Sequence, residues 1–91
     1  WPFDQATNCA VVTTTHVIGG GQPITHVFHD LDDDGWQFHY PGDKSTSDVI
    51  VVALKEIYFH DPTVVEVADI PPGWRAIREG VGKPWRKEKN L

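Results

Sequence analysis

The stretch that decides the fold is Asp30-Leu-Asp-Asp-Asp-Gly-Trp-Gln-Phe-His-Tyr-Pro-Gly-Asp43, which combines an acidic turn, an aromatic strand and a second turn. Its three aromatic residues occupy alternate positions, so in an extended chain their side chains share one face, opposite Gln37 and His39. This alternation predicts a half-buried strand. A small domain needs the burial of its large aromatic side chains to fold, so we expect them in the core. The predicted core residues are Trp36, Phe38, Tyr40, Ile57 and Trp74.

The length and composition of the chain predict one globular domain. It has 91 residues, of which 40% are hydrophobic and 23% charged, which is ordinary for a folded protein. We divide the domain, residues 1–91, into an irregular lead (1–8), a core (9–79) and a basic tail (80–91). No apolar run approaches the roughly 18 residues of a membrane span, and the start lacks a secretion signal. With Cys9 as the single cysteine, we expect a soluble cytoplasmic protein without a disulfide.

Four segments besides the aromatic stretch have strand patterns, which gives five predicted strands in all. Residues 9–15 are rich in Val and Thr, which predicts the first strand, and residues 23–29 alternate as the second. Residues 35–40 are the aromatic third strand, joined to the second by a hairpin across the acidic turn. The unbroken apolar run 49–54 predicts a central strand covered on both faces. Residues 73–79 predict the last strand.

Two short helices are predicted after the apolar run. Leu54, Ile57 and Tyr58 recur at helical spacing, which places one apolar stripe against the sheet. Asp61-Pro62 is typical of an N-cap followed by proline in the first helical turn. The basic tail is expected to be loosely held and anchored by Trp85. The fold class is therefore α+β: a twisted, mostly antiparallel sheet of about five strands, with one or two short helices packed on one face.

The charge of −5 is unevenly distributed. Residues 1–69 hold eleven Asp and Glu against two Lys, a balance of −9, whereas residues 70–91 hold six Lys and Arg against two Glu, a balance of +4. An acidic body repels phosphates, which argues against nucleic-acid binding and favours a basic protein partner. The same charges would also keep a small domain soluble. The candidate partner-binding residues are Asp30, Asp32, Asp33, Asp34, Asp43 and Asp48.

The acidic turn also offers an alternative, a small metal- or ligand-binding module. The pattern Asp30-x-Asp32-x-Asp34-Gly35 matches the first half of an EF-hand loop, in which alternate carboxylates bind calcium. Pro41 stands where the bidentate Glu of that loop is required, and strands flank the pattern instead of helices. We therefore favour a hairpin turn and no metal, with Asp30, Asp32 and Asp34 as the candidate ligands of the alternative.

Other chemistry-bearing residues carry weaker signals. His26, His29 and His39 could bind zinc, but strand alternation puts His26 and His29 on opposite faces. Cys9 lies in a Val- and Thr-rich strand without the cationic setting of a reactive thiol, so a small buried residue is expected. The glycines at 19–21 precede a predicted strand, not the helix that a phosphate loop requires. No residue pair has the spacing of acid–base or nucleophilic chemistry, so we expect no enzyme and no cofactor.

A set of short motifs occurs in a fixed order between residues 9 and 86. They are Cys9 with Thr13-Thr14-Thr15, Pro23-Ile24, His29-Asp30, Gly35-Trp36-Gln37-Phe38, Asp48 ahead of Val51-Val-Ala-Leu-Lys-Glu-Ile57, Asp61-Pro62, Ala68-Asp69-Ile70-Pro71, Gly73-Trp74 and Arg78-Glu79. The ordered set resembles a family of small bacterial proteins of unknown function that is grouped with the immunity proteins of polymorphic toxin systems. The resemblance implies a non-enzymatic protein that binds and neutralises a toxin in the cytoplasm, and it supplies no catalytic residues.

Overall fold

A computed structural model describes residues 1–42 and 45–90 of the chain. The described residues form six strands, one α-helix and two 3₁₀ helices. The strands are β1 (Ala10–Thr14), β2 (His26–His29), β3 (Trp36–His39), β4 (Val49–Ala53), β5 (Trp74–Ile77) and β6 (Arg86–Lys89); the α-helix is α1 (Leu54–His60), and the 3₁₀ helices are Thr46–Asp48 and Pro62–Val67. None of the helices in the described ranges has the length and apolar character needed to cross a bilayer.

The six strands form one mixed sheet in the order β4-β1-β3-β2-β5-β6. Only β1 and β3 are parallel, and the other four neighbouring pairs are antiparallel. The predicted α+β class is confirmed, including the hairpin between β2 and β3. The strand number was wrong, because the basic tail contributes β6, which pairs with β5 from Trp74 opposite Lys89 to Ile77 opposite Arg86. An edge strand is hydrogen-bonded on one side only and can keep charged side chains in water. The charged sequence of β6 therefore lacks the alternation of apolar and polar residues by which a strand is predicted.

The apolar strand β4 does not lie at the centre of the sheet, which corrects the prediction of a central strand covered on both faces. It forms one edge and pairs only with β1 among the described strands. Val51 is 66% exposed and Val49 is also exposed. An apolar run indicates that a strand can be buried. The position of the strand in the sheet depends on which other strand it pairs with, and the apolar run does not indicate that partner. The second strand also begins later than predicted, at His26 instead of Pro23.

One face of the sheet is covered by α1 and the longer 3₁₀ helix, as predicted. Alternation puts the buried side chains of the strands on that face, where they meet the helices in one cluster. Trp36, Phe38 and Ile57 belong to this core, whereas Tyr40 and Trp74 are partly buried against it. The core residues are Phe3, Val11, Val17, Ile24, Val27, Trp36, Phe38, Leu54, Ile57, Val64, Val67, Ile70 and Ala76.

The lead segment has no regular structure but is packed. Phe3 is buried, with its ring edge against the Trp36 ring at 5.3 Å between centroids. Trp1 contacts Phe3 and Tyr58, and its indole N–H donates to the carbonyl of Gln5 at 2.6 Å. The core therefore extends into residues 1–8 and is not limited to residues 9–79.

A buried arginine joins the end of β5 to the two segments behind it. The Arg78 side chain is fully buried, and its Nη2 lies 2.8 Å from Asp61 Oδ2. Arg78 Nη1 donates to Thr63 Oγ1 at 2.9 Å, and Nε donates to the Ile24 carbonyl at 3.0 Å. The guanidinium also lies 4.2 Å from the centre of the Trp85 ring. All three nitrogens of the guanidinium therefore donate a hydrogen bond, and the charge is paired with a carboxylate, which are the conditions under which a buried charge is tolerated.

The residue that pairs with this arginine also caps the longer 3₁₀ helix. Asp61 Oδ1 accepts hydrogen bonds from the backbone N–H and the hydroxyl of Thr63, and Pro62 follows in the first turn. The capping role predicted for Asp61-Pro62 is therefore confirmed, although the helix is 3₁₀ and not α. The predicted stripe on α1 also holds for Leu54 and Ile57, which are buried.

Candidate functional site

The acidic turn, residues 30–35, is held closed by two hydrogen bonds. The Asp30 N–H donates to the Gly35 carbonyl at 2.7 Å, and the Gly35 N–H donates to Asp33 Oδ1 at 2.9 Å. Asp34 has a φ of 59°, a left-handed conformation that Asp adopts more readily than most residues. Asp and Gly are therefore placed where their local backbone preferences shape the turn.

The carboxylates of the turn point to different partners. Asp30 Oδ2 accepts a hydrogen bond from Gln37 Nε2 at 2.9 Å. Asp34 Oδ1 lies 2.6 Å from His29 Nε2, and its Oδ2 accepts from Gln5 Nε2 at 3.1 Å. Asp33 is used for the bond to the backbone of the turn. These contacts tie the turn to β2, to β3 and to the lead segment.

His29 is the buried support of the turn. Its Nδ1 lies 2.7 Å from the Ile70 carbonyl oxygen, and its Nε2 faces Asp34. The imidazole is stacked on the Trp36 ring with 4.0 Å between centroids, and the Trp36 indole N–H donates to Gln5 Oε1 at 2.9 Å. Because both ring nitrogens are occupied by oxygen partners, His29 is placed to orient Asp34 and not to bind a metal or accept a proton from a substrate.

The exposed residues of the turn are one apolar residue, Leu31, and the three aspartates that follow it. Leu31 is 73% exposed. Other large apolar side chains of comparable exposure lie elsewhere, on β4, on α1, in the lead segment and in the loop that contains Val81. An exposed Leu framed by acids is the type of surface that an apolar pocket with a basic rim would bind.

An open cleft of about 660 Å³ lies beside the turn. The cleft is lined by the turn, by Gly73 and Trp74, and by Lys89 and Asn90 at the end of β6. A second open cleft of about 690 Å³ is lined by Asp34 of the turn, the lead segment and residues 68–72. The turn therefore contributes to two concave surfaces, and the first of them is lined by carboxylates and by a lysine.

The structure brings together only part of the predicted acidic surface. Asp30, Asp32, Asp33 and Asp34 share the turn, which precedes β3. Asp48 precedes β4, and its carbonyl accepts a hydrogen bond from the Thr15 N–H just after β1. Because β1 and β3 are parallel, the end of β1 and the start of β3 lie at opposite ends of the sheet. Asp43 lies outside the described residues.

Asp48 has a local role at its own end of the sheet. Its carboxylate accepts a hydrogen bond from the Ser45 N–H at 2.9 Å and caps the short 3₁₀ helix. That bond lowers the pKa of Asp48 below the ordinary value of 3.8, because it favours the ionised carboxylate. The predicted contribution of Asp48 to a shared acidic surface therefore has no support in its position.

The candidate metal ligands do not converge. Within residues 1–42 and 45–90, no group of three or more His, Cys, Asp or Glu side chains could hold a metal ion. Asp30 and Asp34 are hydrogen-bonded in different directions, as described. Among the histidines, His26 lies opposite His39 across β2 and β3. Alternation along β2 places His29 on the other face of the sheet, so the three do not form one set.

The remaining candidate residues lie apart from the turn. Cys9 is partly buried, and its Sγ lies 3.7 Å from the Ala10 carbonyl oxygen. Gly19 and Gly20 lie in a turn and Gly21 in the irregular segment after it, and Gly19 and Gly21 have φ values of 87° and 72°. The next element is β2 and not a helix, so no phosphate-binding loop is formed.

Sequence reasoning missed three contributors to this site. Gln5 belongs to the irregular lead but bonds both Asp34 and Trp36. Lys89 belongs to the tail but lines the cleft. The third contributor is the contact of His29 with Asp34, which are five residues apart. The position of a His just before an acidic turn was the only feature of the sequence that indicated this contact. Gln5 and Lys89 reach the site through tertiary packing, which no local sequence pattern indicates.

Comparisons with protein-family models, with curated proteins and with solved structures found no match to this chain.

Proposed function

We propose that this chain is a non-enzymatic, cytoplasmic protein-binding module of the bacterial immunity-protein type. Its partner would be a protein toxin or another protein with a basic surface. The observation that carries the proposal is Leu31, an exposed apolar side chain that is followed in the acidic turn by the exposed carboxylates of Asp32 and Asp33. In such interfaces a few side chains that enter a pocket of the partner provide most of the binding energy, with charges at the rim.

The rigidity of the turn supports this function. Asp30 accepts a hydrogen bond from Gln37 of β3 and Asp34 accepts one from Gln5 of the lead segment, whereas Asp33 accepts a bond from the backbone within the turn. A surface that is already in its binding shape loses little conformational entropy on association, so more of the contact energy is available for affinity. The same bonds leave Leu31 at the tip, where a partner reaches it without rearranging the core.

Charge supports a basic partner. The body of the chain, residues 1–69, has a balance of −9 from eleven acids and two lysines. Long-range attraction of this kind accelerates the encounter with a positive surface and is weakened by salt. The binding surface is smaller than the sequence indicated, because it is limited to the turn and the cleft beside it, without Asp48.

The alternative function, a small metal- or ligand-binding module centred on the same turn, has less support. The carboxylates of Asp30 and Asp34 are engaged with Gln37 and His29 and do not point to one centre. A titration with calcium alone, followed by the fluorescence of Trp36 next to the turn, separates the two functions. A saturable change at stoichiometric calcium would favour the alternative.

The decisive experiment is affinity purification of the tagged chain from its source cell, with identification of retained proteins by mass spectrometry. The Leu31→Ser and Asp32→Lys variants are compared with Val81→Ser and Glu79→Lys, which make the same changes at exposed positions away from the turn. We expect one basic protein on the wild type and both controls, and its loss from both turn variants. Its association rate should fall as salt rises. A partner retained equally by all variants, or no retained protein, would refute the proposal.

A further inference from the structure

The β4 edge of the sheet is a candidate for a second interaction surface. It is apolar, unlike the acidic turn, and β1 separates it from β3. The strand consists only of Val, Ile and Ala, and Val51 is its most exposed residue. A bare apolar edge without Lys, Pro or a bulge is the kind that natural sheets normally protect, since it offers unpaired backbone groups to another strand. The question is which strand fits it.

The hydrogen-bond phase of β4 shows which backbone groups face outward. The Leu54 N–H donates to the Cys9 carbonyl, and the Thr15 N–H donates to the Asp48 carbonyl. In an antiparallel ladder, bonded positions alternate, so the even-numbered residues of β4 bond β1. The N–H and C=O groups of Val49, Val51 and Ala53 therefore point away from the sheet.

Two of these six outward groups are already used within the chain. The Val49 N–H donates to the Thr46 carbonyl at the end of the short 3₁₀ helix. Ala53 is the N-cap of α1, so its carbonyl accepts the first bond of that helix. With respect to residues 1–42 and 45–90, the groups available for a partner strand are the Val49 C=O, the Val51 N–H and C=O, and the Ala53 N–H.

We propose that this edge pairs with the same edge of a second copy of the chain, antiparallel and centred on Val51. With the two-fold axis at that residue, Val51 of each copy exchanges both of its bonds with Val51 of the other. Val49 then stands opposite Ala53, where the Val49 C=O accepts from the Ala53 N–H on both sides of the axis. All four available groups are satisfied, and none is left over.

The side chains agree with this pairing. Every cross-strand contact would join apolar residues, Val51 with Val51 and Val49 with Ala53, which pack well on a sheet. The strand itself carries no charged residue, so the pairing brings no like charges together within it.

The opposite edge of the sheet does not offer the same fit. The edge strand β6 has the sequence Arg86-Lys-Glu-Lys89, and self-pairing there would bring like charges together. The dimer would therefore be closed, with one continuous sheet of two copies. Because the strand directions reverse across the axis, the two acidic turns lie at opposite ends of this sheet and stay open. The dimer is thus independent of the proposed partner binding.

The test measures self-association of the full chain. By sedimentation velocity over a range of concentrations, we expect a monomer–dimer equilibrium for the wild type and for Val81→Lys, a control at an exposed loop position. Val51→Lys should weaken association at least tenfold, because it places two ammonium groups at the axis. The far-UV circular dichroism of both variants checks that they fold. A wild type that remains monomeric at every concentration, or an undiminished dimer of Val51→Lys, would overturn the proposal.

A cysteine placed at the axis tests the register. Bonded antiparallel residues lie about 5.5 Å apart between Cα atoms, which is within the usual disulfide range of about 4.4–6.8 Å. In a Cys9→Ser background, which removes the single native cysteine, Val51→Cys should form a covalent dimer with oxidised glutathione much faster than Val81→Cys. Equal rates for the two variants would exclude the register centred on Val51.

Discussion

Replacing Arg78 with methionine should remove a large part of the stability of this domain. The change keeps the apolar stem of the side chain but removes the guanidinium, whose charge assists the hydrogen bonds to Asp61, Thr63 and Ile24. Bonds that involve a charged group are worth about 1.5–3 kcal/mol each but are not additive within one network. We therefore expect a loss of at least the about 3–5 kcal/mol that the removal of one partner of a buried ion pair costs. A domain of this size has only about 5–14 kcal/mol in total.

Urea unfolding followed by tryptophan fluorescence measures this loss, since the midpoint shifts at constant slope when only stability changes. Arg86→Met is the matched control. Arg86 is exposed and pairs with Glu88 at 3.1 Å, so its replacement should cost at most about 1 kcal/mol. A double-mutant cycle with Asp61→Asn isolates the pair, and the double variant should lose less than the sum of the single losses.

A loss for Arg78→Met no greater than that for Arg86→Met would contradict a stabilising role of the buried guanidinium. Such a result would mean that Asp61 finds another partner or reaches water when the guanidinium is gone. Additive losses in the cycle would show that Arg78 and Asp61 contribute separately, and the stabilisation would then come from Ile24, Thr63 and the contact with Trp85.

Two further predictions concern the core and the tail. Trp36→Ala should cost about 3–5 kcal/mol in urea unfolding, because it empties a large buried site, and a loss below about 1 kcal/mol, typical of surface positions, would contradict the burial. Lys87 Nζ donates a hydrogen bond to Asp69 at 2.8 Å, and this bond holds the pKa of Asp69 below its ordinary value of 3.8. The pair therefore stabilises the fold above pH 3.8, and its contribution is lost as the pH falls through the lowered pKa. An acid titration of the unfolding free energy should therefore be less steep below pH 3.8 for Asp69→Asn, and identical curves would exclude a role for the pair.

The sequence predicted the class of fold because its alternating and helical patterns are local. The aromatic alternation placed β3, and the acids with Gly35 placed the hairpin before it. The errors came from strands whose positions depend on the rest of the sheet. The apolar pattern of β4 is compatible with a centre or an edge, and the charges of β6 conceal a strand that is bonded on one side only.

The acidic turn was predictable as a cluster, since four of its carboxylates are neighbours in sequence. Its supports were not, because Gln5 and the Ile70 carbonyl reach it from distant parts of the chain. The predicted grouping of Asp48 with the turn was wrong for a topological reason. Because β1 pairs with β3 in parallel, Asp48 and the turn lie at opposite ends of the sheet, and no residue pattern in the sequence indicates this pairing.

Two segments that line the cleft beside the acidic turn are held in place differently. The turn is bonded to two strands and to the lead segment, whereas Lys89 and Asn90 belong to the end of a strand bonded on one side with mostly exposed side chains. Local opening takes the least free energy where few buried contacts are lost, so among the described strands we expect the amides of β6 to exchange with solvent early. A partner that spans the cleft would tie this strand down, and its binding free energy would appear as protection of amides in the C-terminal strand.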